Sequence, residues 1–371
     1  MNSKYWIALS SIEEIGSRTI EKLYQHFNDI EKAYNCNKSD LEQIEGLSVK
    51  LAEKFLKTRD KINPDKCLEE VQNKGINFIT LEDNNYPKLL KEISNPPAVL
   101  YYKGDLNRCN FERNLAVVGS RKASTNGKQS LKRIIDELKN TDICIVSGLA
   151  LGIDTTAHNL AIENNLATIG VIASGFDYIY PSQNKDLYKK IEEEQGVIFT
   201  EYYPTFKPIA FRFPQRNRIV TGLSKGTLVV EAAIKSGALI SANLTLEQGR
   251  ELMCIPGAIN NPNTEGIYKL LKNGATMVTE TNDILEALSW EIKTVKTDSD
   301  EKFNNLNEVE KLVVDSIKIE PLAFDTIQAK TKLQTDELLT CLTMLELKGI
   351  IIQVDGDRYS ICWGVLWQEQ Q

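Results

Sequence analysis

The stretch FPQRNRIVTG, residues 213–222, sets Arg216 and Arg218 on either side of Asn217, just after an aromatic and a proline, with no acidic residue inside it. Guanidiniums this close repel unless something anionic or well hydrated faces them. A phosphate chain is the natural counter-ion, because the planar fork of an arginine matches phosphate oxygens. Three other segments offer partners for the same ligand. GSRKAST (119–125) joins the backbone of Gly119 to the Ser120 hydroxyl and the Arg121 guanidinium. SGLALGID (147–154) makes an amide-rich turn that starts at Ser147 and Gly148. SGFDYIYPSQN (174–184) leads into Lys185. Glycines let a ligand approach the backbone, and amides at a helix N-terminus favour anions.

The charge distribution fits a local anion site. The net charge is −7, which by itself argues against a polyanion partner. Yet residues 113–133 carry six basic side chains and no acidic one, and residues 206–225 carry five with none acidic. A local patch outweighs net charge in deciding what binds there. Phe211 and Phe213 flank Arg212, and aromatics beside cations suit base stacking along a single strand.

The same residues offer little for bond-breaking. There is no G-x-x-x-x-G-K-[ST] and no G-x-G-x-x-G, so neither a P-loop nor a dinucleotide cofactor is expected. No metal-ligand spacing and no nucleophile elbow occur. His158, four residues after Asp154, reads as a core histidine oriented by that aspartate, with a general base as the alternative. For Glu201 and Glu231, at the ends of strand-like runs, the expected role is to accept hydrogen bonds from Arg216 or Arg218, and the alternative is a catalytic carboxylate. The expectation is a binding protein without catalytic, cofactor or metal residues.

The elements that must position these groups form an alternating pattern. Continuous apolar runs at 115–119, 143–148, 167–175, 196–201, 226–232, 251–257 and 275–279 read as strands buried on both faces. Helical stretches at 124–139, 152–165, 183–194, 213–224, 238–250 and 264–273 lie between them. This predicts an α/β fold, a Rossmann-like doubly wound, mostly parallel sheet, over residues 66–290. In such sheets ligands bind beyond the carboxyl ends of the strands, where GSRKAST, SGLALGID, SGFDYIYPSQN and EYYPTFKP (201–208) fall.

Residues 1–65 read as a small helical module. IEEIGSRTIEKL (12–23) and LEQIEGLSVKLAEKF (41–55) look alike, as in paired SAM-like helix-hairpin-helix units, whose turn amides can hold a phosphate. Its balance of nine basic and ten acidic side chains over residues 1–60 favours a packing or protein-contact role. Residues 291–304 read as a polar linker. Residues 305–365 read as a winged helix: three helices, then a hairpin turning at Asp355-Gly356.

Seven cysteines are scattered singly with no C-x-x-C, which suits reduced thiols in the cytoplasm. No apolar run approaches the roughly 18 residues that cross a bilayer, and the first residues lack the pattern of a signal peptide.

The blocks GSRKAS, SGLALGIDTTAH, IASGFDYIYPSQNKDLY, FPQRNRIVTGLS, EAAIKSGALISA, ELMCIPG and TEGIYKLLKNGA, in this order and spacing, resemble the DNA-processing protein A family (DprA, also called Smf) over roughly residues 95–290. The resemblance implies a homodimeric single-stranded-DNA-binding protein of bacterial natural transformation, without turnover, that protects incoming strands and loads the RecA recombinase onto them. It places the DNA site at Gly119, Ser120, Arg121, Ser147, Gly148, Lys185, Phe213, Arg216, Asn217 and Arg218. Thr200 and Ser241 depart from the family's usual Ser and Thr but keep a hydroxyl. The winged helix departs further. Residues 301–362 hold seven basic and eleven acidic side chains, and the helix expected to enter DNA starts Gln334-Thr335-Asp336-Glu337. Protein contact or regulation is the expected role of this module. SKGTLVVEA (224–232) is also similar to a block of the lysine-decarboxylase-like nucleoside-monophosphate phosphoribohydrolases, in which Glu231 would be catalytic. Ser224-Lys225 replace the paired glycines of that block.

Overall fold

The computed structural model describes residues 2–291, 306–317, 321–348, 350–354 and 358–361. The first of these ranges is one compact unit and the remainder another.

The chain opens with helices α1 (Ser3–Ser10), α2 (Ser17–Phe27), α3 (Ile30–Asn35), α4 (Lys38–Glu42), α5 (Val49–Arg59) and α6 (Pro64–Asn73). Side chains start several of them: Asp29, Asn37, Ser48 and Asn63 accept from amides of the first turn, and Pro64 occupies the first position of α6. Strands β1 (Asn77–Thr80) and β2 (Val99–Gly104) follow, with the short α7 (Lys88–Lys91) between them. The alternating core comes next: β3 (Asn114–Gly119), α8 (Thr125–Asp136), β4 (Cys144–Ser147), α9 (Ile153–Glu163), β5 (Thr168–Val171), α10 (Lys185–Lys190), β6 (Gly196–Thr200), α11 (Arg212–Gly222), β7 (Gly226–Val230), α12 (Gly237–Glu247), β8 (Glu251–Cys254), α13 (Glu265–Lys272), β9 (Thr276–Met277) and α14 (Thr281–Leu288).

The strands form one sheet in the order β1-β2-β6-β5-β4-β3-β7-β8-β9. From β6 to β9 all neighbours are parallel, and β2 and β1 add an antiparallel edge. Strand order reverses between β3 and β7, so the chain leaves these two strands toward opposite sides and a crevice opens between their carboxyl ends. Leu115, Ala116, Val117, Leu228 and Val229 are fully buried, as continuous apolar runs require.

The expected strands and helices between 114 and 277 are present, several of them shorter. The run at 167–175 leaves the sheet after Val171, and Gly175 then packs where a Cβ would lie 2.1 Å from the Tyr203 carbonyl oxygen. The sequence pattern missed α6, β2 and α14. VLYYKG (99–104) mixes aromatic and polar residues because β2 is an antiparallel strand near the sheet edge, where burial falls from complete at Val99 to partial at Gly104.

The first 65 residues share their core with the sheet. Trp6, Leu9, Ile20, Phe55, Tyr101, Val146 and Phe199 belong to one continuous buried cluster. At the boundary Ser10 Oγ and Tyr101 Oη lie 2.5 Å apart. Large side chains buried this fully contribute about 1.5–3 kcal/mol each, so packing carries on through the boundary expected at 65/66.

The second unit contains α15 (Glu308–Ile317), α16 (Phe324–Thr331) and α17 (Thr335–Leu347), with strands β10 (Leu322–Ala323), β11 (Ile351–Val354) and β12 (Arg358–Ile361) in the order β10-β12-β11. Val313, Ile327, Leu338 and Leu345 form its core. This is the winged helix. The linker expected at 291–304, apart from Glu291, and the turn at Asp355-Gly356 lie outside the described residues. Asp336 and Glu337 are exposed in the first turn of α17, where carboxylates favour the helix dipole and oppose a phosphate backbone.

The described cysteines are unpaired. No described helix is long and apolar enough to cross a membrane, and no group of metal-ligating side chains occurs among the described residues.

Candidate nucleic-acid interface

β3 and β7 end side by side, Gly119 opposite Val230. The approach is too close for a side chain: a Cβ on Gly119 would lie 2.5 Å from the Val230 carbonyl oxygen and 2.6 Å from Ile153. The turn after β4 crosses the turn after β3. Gly152 has φ +84°, and a Cβ there would lie 2.3 Å from the Ser120 carbonyl oxygen. Ile153 N–H donates to that oxygen at 3.2 Å. The two glycine turns are thus one interlocked unit. The third partner is Glu231, which follows β7 with φ +61° and is buried. Its carboxylate accepts from Ser124 N at 2.8 Å, from Ser124 Oγ and from Asn261 Nδ2 at 3.2 Å. Ser124 also caps α8, so Glu231 fixes where the 119–124 loop ends and the helix begins.

On this frame Arg121 and Lys122 are exposed. The Arg121 guanidinium sits over the Phe213 ring, 5.7 Å from its centroid. Phe213 in turn meets the Tyr180 ring at 5.3 Å with a tilt of 59°. Tyr180 is 49% exposed and Phe211 57%. Arg121 has no ion pair among the described residues. Lys185, exposed at the start of α10, likewise has none. Asn184 joins that helix to the site: its Nδ2 donates to the Leu149 carbonyl at 2.8 Å and approaches Thr155 Oγ1 at 2.9 Å.

The other expected ligands point elsewhere. Ser147 is fully buried and its hydroxyl donates to the Val117 carbonyl at 2.6 Å. Gly148 is committed at both ends: its amide donates to Asp154 at 3.1 Å and its carbonyl accepts from Arg216 Nη1. The Ala150 amide also donates to Asp154, at 3.4 Å. The anion that this turn holds is therefore the protein's own carboxylate. Arg216 is 4% exposed. Besides Gly148, its Nη1 donates to the Val171 carbonyl, and its charge faces the buried Asp154.

Arg218 makes a bidentate pair with Glu201, whose second contact is 2.7 Å, and its Nε donates to the Asn95 carbonyl at 2.8 Å. Ser120 is buried, and its hydroxyl accepts from Lys122 N at 3.1 Å. Asn217 is half-buried on α11. Of the expected ligands, then, Arg121 and Lys185 are exposed and Phe213 and Asn217 half-buried, with Phe213 lying against Arg121. Ser147, Gly148, Arg216 and Arg218 are part of the frame beneath them. Buried guanidiniums of this kind fix geometry and are not open to a ligand.

Glu201 accepts from Arg218 as expected, and also from Ser17 Oγ at 2.9 Å, at the first turn of α2. Nearby, Glu13 pairs with the buried Arg212 at 2.7 Å. The first helix-hairpin-helix turn is thus tied to the sheet through Glu13 and Ser17. Glu231 holds Ser124 and Asn261 in place of an arginine. His158 is fully buried, but Thr168, not Asp154, orients it: Nδ1 lies 2.7 Å from Thr168 Oγ1. The Thr168 hydroxyl donates to the Ile145 carbonyl at 2.8 Å, so it accepts from His158 Nδ1–H. Burial, reinforced by Arg216, pushes the His158 pKa down to about 3.

Sequence reasoning missed Tyr180 and Lys122. Lys122 directly follows Arg121 in GSRKAST. Tyr180 was marked by its place before Pro181, at the end of an aromatic-rich loop.

Three family descriptions match the chain: DNA recombination-mediator protein A over residues 77–289, the DprA winged helix domain over 300–357, and a SAM-like helix-hairpin-helix tandem over 7–58. The protein Smf of Synechocystis is 34% identical over 390 residues, covering 96% of this chain and 98% of its own. The X-ray structure of DNA processing protein A from Streptococcus pneumoniae superposes with a TM-score of 0.67 at 33% identity, covering 78% of this chain and 97% of that one. A structure of DNA processing protein A from Helicobacter pylori, described for its single-stranded DNA binding mode, superposes with a TM-score of 0.52 at 30% identity, covering 58% of this chain and 95% of that one.

Proposed function

The chain belongs to the DNA recombination-mediator protein A family, the DprA/Smf proteins, and we propose that it binds single-stranded DNA at the crevice between β3 and β7. The observation that carries this reading is the accessible stack in which Arg121 covers Phe213 and Phe213 meets Tyr180. Every base has a π-face, so such a platform takes unpaired bases of any sequence, and duplex bases are not available to it. Arg121, Lys122 and Lys185 neutralise phosphates on either side. Asn217 offers an amide at the same rim. Arg216, Arg218 and Glu231 act beneath, by holding the turns that carry these groups. The similarity to the H. pylori protein, described for binding single-stranded DNA, supports the same reading.

We further infer that this binding protects incoming strands in natural transformation, that the protein works as a homodimer in the cytoplasm, and that it loads RecA onto the bound strand. Two pockets per dimer would hold one strand by avidity. Family membership supports these steps.

Binding without turnover is supported by what the candidate acid–base groups are doing. His158 is buried and neutral at ordinary pH, and the Glu231 carboxylate is occupied by Ser124 and Asn261. The phosphoribohydrolase reading needs Glu231 to face a ribose phosphate. Incubation with nucleoside monophosphates should release no base, and release that Glu231→Gln abolishes would overturn the binding reading. The direct test compares a homothymidine strand with a duplex of equal length. A preference of about tenfold or more for the single strand is expected, and equal affinity would contradict it.

A further inference from the structure

Helix α17, the one a DNA-reading winged helix sends into the major groove, is apolar on both sides. Leu338, Cys341, Leu342 and Leu345 are buried on its inner side. On its outer side Leu339, Thr343 and Leu347 follow one another at i, i+4 spacing, with Thr340 and Met344 beside them. Leu339 is 55% exposed, Met344 46% and Leu347 78%. The two threonines add little polarity to this stripe, because their hydroxyls donate back to the helix. Thr340 Oγ1 donates to the Asp336 carbonyl at 2.8 Å and Thr343 Oγ1 to the Leu339 carbonyl at 2.9 Å. A helix that is apolar all round is ordinarily covered all round.

The charges around the stripe say what covers it. On a helical wheel of about 100° per residue, Glu346 falls along one border and Glu337 along the other. Asp336 closes the N-terminal end. All three are exposed, with no ion pair among the described residues. Residues 335–347 contain no Lys or Arg, and Lys348, just past the helix, is paired with Glu310 at 2.6 Å. DNA thus meets carboxylates and no free cation on this face. A second copy of the helix brings the same carboxylates and no cation to meet them. We propose that the outer face of α17 is a docking site for another protein, one that presents a helix whose apolar stripe is bordered by Lys or Arg. Leu339, Met344 and Leu347 are buried in that contact. The carboxylate borders fix its register, as flanking charges do between paired helices. This surface lies on the winged helix and does not depend on strand binding at the crevice.

The full chain is titrated with a synthetic peptide of leucine and lysine, patterned so that a helix carries leucine on one face and lysine along its borders. A peptide of the same pattern with glutamate for lysine, and a duplex DNA, are titrated beside it. The parent should bind the lysine peptide and leave the glutamate peptide unbound. Leu339→Ser combined with Leu347→Ser should weaken that binding by about tenfold or more. Glu337→Lys combined with Glu346→Lys should weaken it comparably while both leucines stay in place. All four positions are exposed, so thermal melts of both variants should match the parent, and where one variant melts early the other decides. Absence of lysine-peptide binding, equal binding of the two peptides, or an affinity that the folded variants keep overturns the proposal. Duplex binding weakened by the two leucine substitutions would make the face a DNA surface. A lower mass for that variant than for the parent in sedimentation would make it a contact between copies. Either result overturns the proposal as well.

Discussion

The guanidinium of Arg216 fills the place a side chain would need at Gly148: a Cβ on that glycine would lie 2.6 Å from the arginine's terminal nitrogens. Arg216 Nη1 also donates to the Gly148 carbonyl, while the Gly148 amide donates to Asp154. A buried positive charge, a buried negative charge and a glycine turn are thus mutually dependent, and the turn they hold is interlocked with the loop that presents Arg121.

Removing Arg216 leaves the Asp154 carboxylate buried without its counter-charge. Breaking a buried pair from one side costs about 3–5 kcal/mol. Arg216→Ala should therefore lower stability by that order in urea unfolding and lose strand binding as a consequence. Gly148→Ala should do the same through the clash. Arg121→Ala, which removes an exposed group, should leave the unfolding midpoint unchanged.

Glu201 and Arg218 form a second internal clamp, with side-chain exposures of 9% and 11%. Arg218→Met alone and Glu201→Leu alone should each destabilise by about 3–5 kcal/mol, whereas the double variant should cost clearly less than their sum. A double-mutant cycle in denaturant measures this, and strict additivity would show that the two residues act independently.

His158 makes stability depend on pH with a defined sign. Its folded pKa of about 3 lies below the ordinary histidine value, so the unfolded chain binds the proton more readily. The contribution is complete above the unfolded value and is lost as pH falls toward the folded one. At pH 5 the loss relative to pH 8 is about 2 kcal/mol. Unfolding measured at both pH values for the parent and for His158→Asn should show a smaller pH difference in the variant by that amount.

Much of this arrangement is legible in the sequence, and the exceptions have physical causes. Continuous apolar runs gave the parallel strands away because both faces of the sheet are covered. Glycine-rich strand ends marked the crevice because backbones touch there. What residue type and spacing do not carry is the direction of each side chain. Arg216 and Arg218 are two apart on α11, and residues so spaced do not face each other on a helix. One runs inward to Gly148 and Val171, the other sideways to Glu201. The amides of the 147–152 turn looked open to a phosphate, but Asp154, six residues after Gly148, already occupies them. The rim is therefore smaller than the four cations expected from the motifs, with Arg121 and Lys185 retained and Lys122 and Tyr180 added.

Salt dependence counts the phosphate contacts that remain. With Arg121, Lys122 and Lys185 as the ligands, the log–log slope for a single strand should be about −2, at about 0.7 per contact. The four cations expected from the motifs, Arg121, Lys185, Arg216 and Arg218, would give about −3. Titrations of the parent across salt distinguish the two sets.

The central claim, that exposed cations around the Phe213 platform hold the DNA while the buried arginines only shape it, is tested most directly by Arg121→Ala combined with Lys185→Ala. The double variant should keep the parent's unfolding midpoint, lose most of its single-strand affinity at moderate salt, and show a slope reduced from about −2 to nearer −1. A double variant that binds the strand with the parent's affinity and slope would contradict the account.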